Sequence, residues 1–358
     1  MPATIITSPD APALDDLCRE LASRTDALDL AGSWPAEQLQ LLGNYGVYQW
    51  FMPKAWGGQE WSELDCIRGY LRLSEACLST TFILTQRTGA CQRIADGETS
   101  RKRDLLPGLV SGESFATVGI SHLTTSRRHL GRPALAARET ATGFVLDGFS
   151  PWVTGGAHAD SIVTGATLAD ERQILAVVPA TLPGITADPP AQLVGLSSSH
   201  TGAVQFRNVE LSREWLLGGP VENVMSRGIG GNTGGLQTST LAIGLARSAI
   251  DYLQAESQKR EDLRSAADAL ARDAAKAADD LLALAGGNAA CTQQDLRYRA
   301  NSLALRASQA ALTAAKGAGY VAGHPAGRWC REAMFFLVWS CPQPVAAAAL
   351  CNLAGLGD

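Results

Sequence analysis

Apolar residues in the first third of the chain fall on one helical face. Leu14, Leu17, Leu21 and Leu28 follow Pro12 at helical spacing, so a helix that begins at the proline carries them on one side. Ser33 is placed to cap a second helix, with Pro35 and Glu37 in its first turn. A third helix is predicted from about Glu63 to Cys77, and a fourth, more apolar, from Thr81 to Ala95. Between the second and third, Phe51–Trp61 (FMPKAWGGQEW) breaks the period with Pro53 and the pair Gly57-Gly58, which marks a turn.

From about residue 113 to 212 the period changes from helical to alternating. The strand candidates are Ser114–Ile120, Ala134–Thr140, Phe144–Phe149, Ser161–Ala166, Ile174–Val178 and Val204–Val209. Short strands separated by Gly and Pro clusters predict a small antiparallel β-barrel. Helical periodicity returns from about 221, over Leu236–Gln258, Ala266–Leu284, Gln294–Ala315, Trp329–Val338 and Pro344–Leu353. Long, Ala-rich amphipathic helices predict a four-helix bundle. The expected organisation is thus α+β and multidomain: a helical unit over 1–112, a central antiparallel β-barrel over 113–212 and a helical bundle over 213–358.

Composition narrows the classes. A chain of 358 residues with 46% apolar and 18% charged positions has material for a large interior spread over two or three units. The net charge of -5 supplies no basic field for nucleic acid and no reason to expect a membrane surface. No stretch reaches the ~18 apolar residues of a membrane helix. The eight cysteines include no C-x-x-C pair, and no signal peptide precedes them, so free thiols in a reducing cytoplasm are expected. The five histidines are dispersed without Cys or Glu at ligand spacing, and no G-x-S-x-G elbow occurs. A metal set and a Ser-His-Asp hydrolase are therefore unsupported.

Four segments, in order, carry a resemblance over nearly the whole chain. Leu41–Trp61 (LLGNYGVYQWFMPKAWGGQEW), Leu105–Phe115 (LLPGLVSGESF), Gly143–Asp160 (GFVLDGFSPWVTGGAHAD) and Gly317–Ala333 (GAGYVAGHPAGRWCREA) resemble successive motifs of the acyl-CoA dehydrogenase superfamily. The resemblance implies the fold of that family and an FAD cofactor. It puts Trp152, Val153 and Thr154 of the hairpin against the flavin, where an indole excludes water and a hydroxyl bonds the ring edge. The alternative reading makes Trp152 a hairpin core residue. Ser121 stands in Gly119-Ile120-Ser121-His122, where relatives have Thr-Glu-Pro, and can replace their flavin-bonding hydroxyl. His122 next to it is either an acid/base group at the mouth of the site or a hydrogen-bonded structural residue. Arg260 falls where relatives place an arginine on the FAD pyrophosphate of a neighbouring subunit, a task suited to a planar fork. It also reads as a solvated charge in a charge-rich turn. Gly317 and Gly319 match the family's glycine loop, by which a second subunit approaches the adenosine end of FAD, and both also read as helix-capping residues. A homodimer or homotetramer is implied.

The departures are as informative. The family's catalytic Glu maps to Ser340 in Val338-Trp339-Ser340-Cys341-Pro342, and a serine has no usable basicity near neutral pH. The alternative location on the first bundle helix reads Gly234-Gly235-Leu236-Gln237, and the Asp-x-x-Arg of the CoA arm reads Asn232-Thr233-Gly234-Gly235. The loop after Ser121 is LTTSRRHLG in place of the family's GAGSD. The run Gly228–Gly235 follows no parallel strand and is a weak phosphate-loop signal. Three functions remain open. The first is an FAD-dependent oxidoreductase acting on a non-standard small-molecule substrate. The second is a reduced-flavin monooxygenase framed by Ser121, His122 and Ser340. The third is a noncatalytic partner subunit. A flavin reductase or electron-transfer protein is the implied partner of the first two.

Overall fold

The computed structural model describes residues 4–124, 133–226, 235–288 and 290–356. Five helices come first: α1 (Pro12–Ala31), α2 (Ala36–Asn44), α3 (Glu63–Ala76), α4 (Leu78–Asp96) and α5 (Lys102–Ser111). α1 begins at its proline, buries Leu14, Leu17, Leu21 and Leu28, and ends on Gly32 at φ 58. The N-cap of α2 is Pro35 rather than Ser33, and no side chain caps it. The expected serine cap fails because the chain enters the helix too late for that hydroxyl to reach its first amides. α3 is capped by Ser62, whose Oγ accepts from the Asp65 amide at 3.1 Å. The Phe51–Trp61 turn folds back on itself, with Trp61 N–H donating to Trp50 O at 2.7 Å and the two indoles stacked 4.4 Å apart.

The middle of the chain forms one eight-stranded sheet from β1 (Ala116–Gly119), β2 (Leu135–Glu139), β3 (Gly143–Val153), β4 (Ser161–Thr167), β5 (Gln173–Pro179), β6 (Ile185–Ala187), β7 (Gly202–Ser212) and β8 (Leu216–Val221). A single helical turn, α6 (Ser121–Thr124), follows β1. The order is β6-β7-β3-β2-β4-β5-β8, with β1 added on β4. The expected barrel is not formed. Among the described residues no pairing joins β6 to β8, and β4 pairs in parallel with both β1 and β2 while the other ladders are antiparallel. Two strands missing from the alternation pattern explain this. β6 and β8 are short edge strands, which end a sheet rather than close it, and β8 extends the sheet beyond residue 212.

After the sheet come α7 (Leu236–Ser257), α8 (Arg264–Ala285), α9 (Gln293–Ala315), α10 (Pro325–Met334) and α11 (Gln343–Leu353). Three of these are long, at 22, 22 and 23 residues, and two are short, so the bundle has three full-length members rather than four. Ala242, Ala246 and Ala249 of α7 and Ala300, Ala304, Ala307 and Ala311 of α9 are all buried in one core, since small side chains let two helix axes come close. Among the described residues no helix is long and apolar enough to cross a membrane.

The bundle is fastened to the N-terminal helices where α7 crosses α3. Gly244 lies against Ser74 Oγ and, at 2.9 Å for an added Cβ, Leu71 O. Ser248 Oγ donates to Glu75 O at 2.5 Å one turn later. Gly244→Ala is expected to lower stability by about 1–3 kcal/mol through overpacking at this crossing, read as a lower urea midpoint at unchanged slope.

His122, in α6, is buried, and its Nε2 lies 2.8 Å from Gly165 O of β4. A carbonyl only accepts, so Nε2 carries the proton and Nδ1 is left buried without a partner. Burial pushes the imidazole below its ordinary pKa, outweighing the opposite pull of the Gly165 bond. A depressed histidine contributes stability above its unfolded pKa of about 6.5 that is lost as pH falls toward the folded value. Thermal midpoints should therefore drop on acidification below pH ~6.5. His122→Gln, which keeps an N–H donor but cannot titrate, should make that drop shallower.

Candidate functional site

A cavity of ≈ 960 Å³ opens where the N-terminal helices, the sheet and the bundle meet. Its walls come from α3 and α4, the ends of β1 and β3, the 193–201 segment, the start of α7, and α10 with the turn after it. Of the residues singled out in the sequence, it collects Ser121, Trp152, Thr154 and Ser340.

Trp152 and Thr154 face the cavity because β3 is irregular at this point. Its register with β7 shifts between Ser150 and Val153, a bulge that re-aims the side chain between them. Trp152 is consequently 50% exposed at the cavity wall rather than a hairpin core residue. Val153 takes the core position instead, in the cluster with Phe144 and Phe206. Thr154 is buried and held from both sides. Its Oγ1 is 3.0 Å from Thr201 Oγ1, and its carbonyl accepts from Thr117 Oγ1 at 2.8 Å. Thr201 in turn meets Ser199 Oγ at 2.8 Å. The chain then turns at Gly155 (φ 64), where a Cβ would meet Trp34 Cη2. Ser121 begins α6, and its Oγ is buried with no hydrogen-bond partner. A hydroxyl kept dry and unpaired on a cavity wall is costly unless something else occupies the cavity.

Ser340 sits on the turn after α10 at φ 44. Two buried residues one turn apart on α9 position that turn. Arg297 Nη2 donates to Trp339 O at 2.8 Å, and Asn301 Nδ2 donates to Phe336 O at 2.9 Å. Neither was visible in the sequence pattern, because both sit among the alanines of a helix that reads as ordinary core. Burial lowers the Arg297 pKa to about 10. Among the described residues that line the cavity, Glu63 is the one carboxylate, and it stands exposed at the start of α3. Residues 125–132 and 227–234 lie outside the described residues, together with most of the glycine run 228–235 and of the LTTSRRHLG loop. Neither stretch contains Asp or Glu in the sequence.

His122, Arg260, Gly317 and Gly319 lie off this cavity. The His122 ring serves the β1–β4 edge through Gly165, not the cavity mouth where an acid/base role would need it. Arg260 and the glycine pair nevertheless come together. Arg260 Nη1 donates to Ala314 O at 2.7 Å, and the 316–320 turn carrying both glycines follows directly. That bond caps the C-terminal end of α9 and restrains the guanidinium without covering it. Gly319 is required by packing, since a Cβ would meet Leu312 Cδ1 at 2.9 Å, whereas Gly317 faces open space. Among the described residues no group of three or more His, Cys, Asp or Glu could hold a metal ion.

The cavity also holds residues that were not anticipated. Thr85, Gln86, Gly89, Gln92 and Arg93 form one face of α4, and Gln237 of α7, Arg331 of α10 and the aromatic residues Phe335 and Trp339 complete the wall. The α4 stripe was legible in principle as a polar face at helical spacing on an otherwise apolar helix.

Residues 13–113 match the family model for the acyl-CoA dehydrogenase N-terminal domain. Probable acyl-CoA dehydrogenase YngJ of Bacillus subtilis is 22% identical over 68% of this chain and 66% of its own length. The mitochondrial short-chain specific acyl-CoA dehydrogenase of Mus musculus is 23% identical over 89% of this chain and 84% of its own. Among solved structures, one described as the electron transferring flavoprotein of Acidaminococcus fermentans superposes with a TM-score of 0.82 at 19% identity, covering 95% of this chain and 97% of that one. A glutaryl-CoA dehydrogenase from Mycobacterium smegmatis in complex with FADH2 gives 0.79 at 17%, covering 96% of each. These structural likenesses establish the fold, and together with the match over residues 13–113 and the curated relatives they support a place in the acyl-CoA dehydrogenase superfamily.

Proposed function

We propose that this protein is a flavin-dependent oxidoreductase that binds FAD in the cavity and acts on a substrate other than a saturated acyl-CoA thioester. One observation carries the reading: the buried, unpaired Ser121 Oγ shares a cavity wall with the half-exposed indole of Trp152. A flat, polar-edged ring system satisfies both, because it takes a hydrogen bond at its rim and covers apolar surface with its face. The family likeness supports the same choice, as the Mycobacterium smegmatis relative is a complex with FADH2. When bound, FAD supplies two-electron chemistry at carbon.

The residues of this chain have narrower tasks. Trp152 keeps water from one side of the reacting centre. Thr154, locked by Thr201 and Ser199, presents a hydroxyl whose direction is fixed. Ser340 occupies the turn aimed into the cavity but cannot hold a proton taken from a substrate carbon at neutral pH. Glu63 stands exposed to water on the first turn of α3. Half-buried Arg260 and the turn that carries exposed Gly317 and buried Gly319, together away from the cavity, are assigned to the far end of the cofactor of a second copy, which makes the working form a homodimer or homotetramer. That the described cavity lining holds no buried carboxylate also fits a reaction in which reduced flavin and oxygen hydroxylate the substrate. Oxygen uptake with photoreduced holoprotein tests that second reading.

Two results are expected of the purified protein. Titration of apoprotein with FAD should give a tight complex that Trp152→Ala weakens by about tenfold, in line with the loss of one aromatic contact face. Equal affinities, or no FAD uptake at all, would remove the assignment. Anaerobic mixing with butyryl-CoA and octanoyl-CoA should bleach the flavin about 10²–10⁴ times more slowly than in relatives with a carboxylate base. Rapid bleaching with either thioester would show that a base operates elsewhere in the cavity.

A further inference from the structure

The two ends of the cavity differ in chemistry, and α4 runs from one to the other. At its start Phe82 is buried edge-on against Phe335 and Trp339, with ring centroids 4.9 and 5.0 Å away, and those two rings stack on each other at 5.1 Å. Ser340 follows Trp339 directly. Further along the same face come Thr85, Gln86, Gly89, Gln92 and Arg93. Eleven residues at the helical rise separate Phe82 from Arg93 by about 16 Å.

The glutamines of the polar half are not explained by internal bonding. Gln86 Nε2 donates only to the neighbouring Thr85 Oγ1, at 3.0 Å. Gln92 and, across the cavity, Gln237 are half-buried and make no side-chain hydrogen bond among the described residues. Arg93 places a positive charge beside Gln92, with Nη1 donating to Gly89 O at 2.8 Å. An alkyl chain laid along this stripe would strip water from three amides and return nothing to them, a desolvation loss that a fatty acyl group cannot offset. A ligand with its own donors and acceptors replaces the lost water.

We propose that the cavity selects a small amphipathic anion, with an apolar or aromatic head against Phe82, Phe335 and Trp339 and an amide- or hydroxyl-bearing acidic tail against Gln86, Gln92 and Arg93. The proposal rests on the reading of this cavity as the site of a flavin-dependent reaction and names the class of substrate it admits. Gln92 is the specificity-determining residue, since its amide can pair with either a donor or an acceptor on the tail while Arg93 next to it fixes the sign of the charge.

The test is calorimetric titration of the apoprotein and of the FAD-loaded protein with hippurate, which joins a ring, an amide and a carboxylate. Benzoate, lacking the amide, and octanoate, lacking both ring and amide, are the comparisons. Hippurate should bind tightest of the three. Gln92→Leu should weaken hippurate about tenfold while leaving octanoate equal or tighter, with the thermal midpoint and FAD affinity unchanged. Gln86→Leu, one helical turn and a half away, gives a second variant should the first fold poorly. Octanoate binding as well as hippurate, no measurable hippurate binding, or hippurate affinity untouched by both variants would overturn the proposal. The two readings fail separately. Apoprotein that binds hippurate through Gln92 but rejects FAD defeats the flavin reading alone, and protein that takes FAD yet prefers octanoate defeats this one alone.

Discussion

The position of α10 is set by charge, and much of the cavity hangs from it. Arg328 Nε reaches Asp26 of α1 at 3.1 Å, and Arg331 pairs with Asp29 one turn further along the same helix. Both contacts span more than three hundred residues of sequence, so the chain's first helix locks its next-to-last one. Arg328 also bonds Glu332 at 3.0 Å, and burial of that carboxyl outweighs its partner and pushes its pKa up to about 7. Removing one member of the buried Arg328–Glu332 pair leaves its partner buried alone, at a cost of about 3–5 kcal/mol. These ion pairs fix α10, α10 fixes the Phe335–Ser340 turn, and Arg297 and Asn301 clamp that turn from the bundle side. Arg331 therefore belongs to two systems, an ion pair outside and the cavity wall inside.

The sequence exposed what is local and left hidden what is relational. The alternation that marks β3, β4, β5 and β7 is a property of each segment, and all four strands stand where it places them. Whether those strands close depends on partners at the edges, and β6 and β8 are too short to announce themselves in three or six residues. The direction of His122 was equally hidden. The residue lies next to Ser121, yet one hydroxyl faces the cavity while the adjacent ring turns to the sheet, because α6 is a single helical turn in which neighbours point apart. Trp152 became visible as a wall residue only through the bulge in β3, a feature of pairing rather than of composition.

The α4 stripe was missed for a different reason. Reading helices by apolar spacing rewards the buried side, and α4 is buried almost all round, so its glutamines looked like interruptions of an apolar helix. They line the cavity. Departures from the family pattern pointed the same way at the level of chemistry. Where the family resemblance implies a carboxylate, the turn carries Ser340, and the described cavity wall offers amides and guanidinium groups with Glu63 as its one, exposed, carboxylate.

The walls of this cavity come from separate pieces of chain. The indole and hydroxyls assigned to the cofactor come from the end of β3, the residue after it and the start of α6, whereas the amide stripe belongs to a helix more than twenty residues upstream of Ser121. On the roles proposed above, substitutions on α4 change what is admitted and leave the cofactor's contacts in place, and substitutions at the end of β3 do the reverse. A cavity divided this way lets ligand choice change one wall at a time, because no single stretch of chain carries both tasks.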